Sequence, residues 1–128
     1  MKIFVFSFRT FFSKPPIMLK VRNQGEVYRI SFFKTRRVNT LIADSLKEEL
    51  SQYVSEPDRE VILSMDGINF IDSSGFEAIM SVVDVAKLNH SKFRISDVSQ
   101  EVYELLKLMK LKIFFEIDPA RSEVFSGT

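Results

Sequence analysis

From residue 17 onward, short apolar runs rich in β-branched and aromatic residues alternate with longer stretches of helical period. This alternation constrains the fold more than any other feature. Strands separated by a helix need a crossover connection and therefore lie parallel in one sheet. The first two strands, at 17–21 and 27–33, are the exception. Asn23-Gln24-Gly25 lies between them as a short turn, and Gly25 can take positive φ, so they form a hairpin. Val61, Ile62, Leu63, Ser64 and Met65 form a run without clean alternation, which suits a central strand buried on both faces. Further strands fall at 93–95 and 113–117. The expected fold class is α/β, a mixed and mostly parallel β-sheet with an N-terminal β-hairpin and packed α-helices.

Three helices are expected. In 41–54, Ile42, Leu46, Leu50 and Tyr53 recur at helical spacing, with Asn39 or Thr40 as the cap. From about 75 to 88, Phe76, Ile79, Met80, Val83 and Ala86 form one stripe, widened by Val82 and Val85. Ser99 caps the third, which presents Val102, Leu105, Leu106 and Met109 on one face. Between the Asp66-Gly67 turn and the second helix, Ile68, Phe70 and Ile71 are expected to point inward. The 118–128 tail is read as a short helix or loose.

The first 16 residues, MKIFVFSFRTFFSKPP, contain an alternating segment around Ile3 and Val5 that suits an edge strand, ended by Pro15-Pro16. Arg9 interrupts the apolar stretch that a signal peptide would need, and no small-residue cleavage site follows. The chain is read as an N-terminal extension, 1–17, followed by one domain, 18–128. A cytoplasmic location is expected. No run of 18 apolar residues exists, so no membrane insertion is expected. Residues 1–40 carry nine Lys/Arg against one Glu, and the remainder nine against 16 Asp/Glu. The basic residues are scattered, which argues for a basic arm on an acidic body and against direct nucleic-acid contact.

With no cysteine and one histidine, the chain cannot build a Cys/His zinc site or a cysteine nucleophile. A serine hydrolase fares no better. His90 sits at the far end of the second helix, roughly 24 Å from Ser74 at ~1.5 Å rise per residue. No phosphate-cradling glycine loop occurs, and no cofactor is implied.

The segment that stands out is Asp72-Ser73-Ser74-Gly75, between a buried apolar run and a buried helix. As a helix start it reads as a capping box, Ser74 with Glu77, with Asp72 complementing the helix dipole and Gly75 allowing close backbone packing. A serine at an exposed helix start also makes a good phosphate acceptor. Phosphorylation of Ser73 would place about −1.5 to −2 charge beside backbone N–H groups that favour anions. The helix would tolerate that charge, whereas a partner pressed against it would not.

The longer stretch VILSMDGINFIDSSGF, residues 61–76, resembles the core signature of STAS domains, the family of sulfate-transporter and anti-sigma-factor-antagonist domains. FRISDVS at 93–99, the segment 102–106, FFEI at 114–117 and Val38-Asn39-Thr40 are similar to the same family. The likeness covers roughly 18–118. It implies a STAS-like fold and a protein that is not an enzyme. It further implies an anti-sigma factor antagonist that binds an anti-sigma factor serine kinase, is phosphorylated by it on Ser73, and is restored by a serine phosphatase. The partner-binding surface would comprise Asp72, Ser73, Ser74, Gly75, Asn39, Thr40 and Glu77. An alternative is a docking subunit of a membrane transport or stress-signalling complex in which Ser73 does not turn over. Two departures stand out. Asn39 occupies a position where the family often has Asp, and Glu77 one where it often has a second Gly. Arg36 and Arg37, just before Asn39, read as solvated loop charges able to meet a phosphate or an acidic partner.

Overall fold

The computed structural model describes residues 3–8, 17–108 and 116–117. Among the described residues, eight strands and three helices follow one another as β1 (Ile3–Phe8), β2 (Met18–Gln24), β3 (Val27–Phe32), β4 (Arg37–Val38), α1 (Thr40–Val54), β5 (Glu60–Ser64), β6 (Phe70–Ile71), α2 (Ser73–Leu88), β7 (Lys92–Ser96), α3 (Gln100–Leu108) and β8 (Glu116–Ile117). Six of the strands form one sheet in the order β1-β2-β3-β5-β7-β8. The pairs β1/β2 and β2/β3 are antiparallel; β3/β5, β5/β7 and β7/β8 are parallel. The sheet is thus mixed and mostly parallel, as the alternation of elements requires.

The expected hairpin forms, but its strands run further than the apolar pattern does. Asn23 and Gln24 stay in β2, Gln24 pairs with Val27, and the turn is Gly25-Glu26 with Gly25 at φ 72°. β1 adds the expected edge strand, Ile3 opposite Asn23 and Phe8 opposite Met18. Of the last expected strand, 113–117, only Glu116–Ile117 falls within the described residues; Met109 and the tail after 117 lie outside them.

Alternation along the strands separates two faces. Leu19, Val21, Ile30, Leu63 and Ile95 point to the side where the helices pack and belong to the main core. Each is at most 3% exposed. α1 contributes Leu46, Leu50 and Val54; α2 contributes Phe76, Ile79, Val82 and Val83; α3 contributes Val102 and Leu106. The stripes are rotated slightly from the pattern expected. Ile42 and Tyr53 lie at the margin of the α1 stripe while Val54 is fully buried, and on α2 Met80 is half-buried while Val82 is central. The run without alternation in β5 is explained by Ile62. It points to the opposite face, away from the main core, and is still only 2% exposed. Ser99 caps α3 as expected: its hydroxyl accepts from the Val102 N–H (3.1 Å) and donates to the Ile68 carbonyl (3.2 Å).

Two features have no counterpart in the apolar pattern. β4 and β6 form a separate two-stranded parallel sheet, Arg37 opposite Phe70 and Val38 opposite Ile71. Phe70 is also not an inward residue. Ile68 and Ile71 are buried, but Phe70 alternates away from Ile71 and is only half-buried, with the Arg37 guanidinium 4.1 Å above its ring.

Candidate functional site

The small β4/β6 sheet brings two helix starts together. The residue after each strand is the cap of the following helix: Asn39 for α1 and Asp72 for α2. The Val38 carbonyl accepts from the Asp72 N–H (3.1 Å), and the Arg36 carbonyl accepts from the Asn69 N–H (2.8 Å), which holds both helix starts in register. Asn39 Oδ1 accepts from the Leu41 N–H at 3.1 Å. Asp72 Oδ1 accepts from the Gly75 N–H at 3.0 Å.

The capping expectation is thereby corrected. Asp72, with extended backbone (φ −104°, ψ −175°), is the cap, and Ser74 already lies inside the first turn of α2. An aspartate is as good a cap as a serine and stands two residues earlier, so the helix begins at Ser73 and no Ser74–Glu77 box forms. The Ser74 hydroxyl instead meets the Thr40 hydroxyl at 2.9 Å, across the gap between the helices.

Gly75 explains how the elements come so close. A Cβ at this position would lie 2.6 Å from the Val38 carbonyl oxygen and 2.8 Å from side-chain carbons of Val38 and Ile71. Any larger residue would force β4 away from the start of α2.

Ser73 occupies the first helical position of α2 and is exposed. Among the described residues its hydroxyl makes no hydrogen bond. Neither helix has an acidic side chain in its first turn, and the Asp72 carboxylate at the cap of α2 offsets the positive dipole end there. Arg36 and Arg37 are both exposed on the β4 side. On the other side a shallow groove of about 280 Å³ separates α1 from α2; Thr40, Ser74, Asp44, Lys47 and Glu77 line it. Glu77 is exposed there, one turn beyond Ser73. The seven residues singled out from the sequence therefore converge on one pair of helix starts. What sequence reasoning missed is the Arg37–Phe70 stack and the short parallel bridge beneath it. His90 lies past Leu88, at the opposite end of α2 from Ser73.

A STAS domain model matches residues 21–124, a span that contains β3 to β8, most of β2 and both helix starts. The chain belongs to the STAS domain family. Solved structures repeat the fold of this STAS domain. An anti-sigma factor antagonist from Mycobacterium paratuberculosis matches with a TM-score of 0.67 at 15% identity, covering 87% of this chain and 92% of that one. An anti-sigma-factor antagonist (STAS) domain protein from Planctomyces limnophilus matches at 0.65 and 20% identity, covering 77% and 87%. A sulfate transporter family protein from Wolinella succinogenes matches at 0.57 and 23% identity, covering 71% and 70%. At these identities the likeness is one of fold. Among the described residues of the STAS domain, no helix is long and apolar enough to cross a membrane.

Proposed function

We propose that this STAS domain is a cytoplasmic anti-sigma factor antagonist and not an enzyme. It binds an anti-sigma factor serine kinase through the paired helix starts, and that kinase ends the complex by phosphorylating Ser73. A serine phosphatase restores the binding form. The observation that carries this reading is the exposed Ser73 hydroxyl at the first position of α2, without a hydrogen bond among the described residues. A phosphate there meets free N–H groups of its own helix and the positive end of α1 beside it. The fold accepts the charge, while a partner seated on Asp72, Ser73 and Thr40 faces a desolvated dianion. Likeness in fold to anti-sigma factor antagonists supports the same reading.

A second reading is a docking subunit of a transport complex, favoured by the likeness to the sulfate transporter family protein. The surface would then be occupied permanently and Ser73 would carry no phosphate. Capture of the full chain from native lysate, followed by mass spectrometry, separates the two. A co-purifying serine kinase and phosphate on Ser73 support the switch. A membrane permease with its ATPase, and unmodified Ser73, support docking and overturn the switch.

A further inference from the structure

On the face of the main sheet opposite the helices, a groove of about 330 Å³ lies over β2, β3, β5 and β7. That volume is at the low end of the range for small-molecule sites, roughly 300–1,000 Å³. The groove has two chemically distinct ends. At one end Lys20 stands opposite Ser31 and Arg22 opposite Arg29, across the β2/β3 pair. Among the described residues, Lys20 and Arg29 have no carboxylate partner, and Arg29 spends only its Nε on Gln24 Oε1 (3.1 Å). The Ser31 hydroxyl makes no hydrogen bond among the described residues. Lys20 and Arg29 thus leave two cationic side chains beside the Ser31 hydroxyl on one face of the β2/β3 pair, so this end favours an anion.

At the other end, β5 and β7 finish side by side with Ser64 opposite Ser96. Both hydroxyls donate to Asp97 Oδ2, at 2.7 and 3.0 Å. Beyond them the exposed Asp66 carboxylate lines the groove without a hydrogen bond or ion pair among the described residues. The carboxyl ends of parallel strands are where open α/β sheets bind ligands. The two ends adjoin directly, because Ser31 on β3 is paired with Ser64 on β5, and Ile62, paired with Arg29, lies beneath as a nearly covered apolar floor.

We propose that this groove binds a small phosphate monoester carrying hydroxyl donors. The phosphate sits on Lys20, Arg29 and Ser31, and the hydroxyls face Asp66. The site stands apart from Ser73 and does not rest on the switch. The test is an NMR titration of the full chain with ribose 5-phosphate and, separately, with inorganic phosphate, read at the backbone amides. Saturable shifts are expected at Lys20, Arg29 and Ser31, with ribose 5-phosphate the tighter of the two. Lys20→Gln and Arg29→Gln should each weaken both probes about tenfold, the loss of one charge-assisted contact. Asp66→Asn should remove only the preference for ribose 5-phosphate, and Lys47→Gln, on the other side of the domain, should change neither. Shifts that persist in the Lys20 and Arg29 variants, or that spread over surface cations generally, overturn the site. Equal affinity for the two probes in the unaltered chain overturns the ligand class.

Discussion

The Thr40 and Ser74 hydroxyls meet at 2.9 Å, joining the first turns of two helices across 34 residues of sequence. The contact exists because β4 and β6 run parallel and each leads directly into a helix, so α1 and α2 begin in step. The pair is exposed, and an exposed hydrogen bond contributes little. Thr40→Val and Ser74→Ala should each cost no more than about 1 kcal/mol, and a double-mutant cycle by urea denaturation should show a coupling of about 0.5 kcal/mol. Strict additivity of the two changes would mean that the hydroxyls do not interact in solution.

Asp72→Ala removes the α2 cap and should destabilise the domain by about 1 kcal/mol, more than Ser74→Ala does. Asp72→Asn should retain most of the stability, because an amide oxygen can still accept from the Gly75 N–H. Chemical denaturation of the three variants ranks them. The reverse ranking would return the cap to Ser74.

Gly75→Ala places a methyl group 2.6 Å from a backbone oxygen that is itself bonded to the Asp72 N–H. The expected loss is about 1–3 kcal/mol, the usual cost of overpacking. Amide shifts around Val38 and Asp72 should report the displacement. An unchanged melting temperature and unchanged shifts would show that β4 yields freely.

On the proposed switch, Ser73→Asp should weaken binding of the partner kinase on the order of 3 kcal/mol, about a hundredfold, through like-charge and desolvation costs in the complex. Ser73→Ala should bind and stay unphosphorylated. Neither change should move the melting temperature by more than a few degrees, since the hydroxyl is exposed and makes no hydrogen bond among the described residues. Equal kinase affinities for the two variants would remove the switch.

A chain beginning at Met18 is proposed to contain the whole working domain, with 1–17 as an extension. It should fold with a cooperative transition and melt at a lower temperature. It loses Ile17, which is 2% exposed, and leaves β2 as an unpaired edge. Circular dichroism and thermal unfolding decide this; a chain without a cooperative transition would make the first 17 residues part of the domain.

The strands and helices were legible because their apolar residues recur at periods of two and 3.6, and burial on a sheet face or helix stripe produces those periods directly. The convergence of Asn39 and Asp72 was legible only through family resemblance. The bridge that causes it, Arg37–Val38 with Phe70–Ile71, is two residues per strand, too short to show any period. Reading Phe70 as inward followed from its chemistry, yet strand alternation beside the buried Ile71 sends it outward, where Arg37 covers it. The cap of α2 was misplaced because Asp72, Ser73 and Ser74 are all competent caps, and only the hydrogen bond from Asp72 to Val38 decides among them. The basic groove was hidden for a different reason. Lys20, Arg29 and Asp66 are scattered along the chain, and only the strand order makes them neighbours.

Because Gly75 leaves no slack against Val38, Ser73, the proposed phosphate acceptor, is indexed to a segment far upstream. A change in the connection between β3 and β4 that displaced Val38 would also displace the start of α2, where Ser73 stands. Libraries that diversify recognition by this domain should therefore vary the exposed side chains of residues 34–37 and hold the number of residues constant.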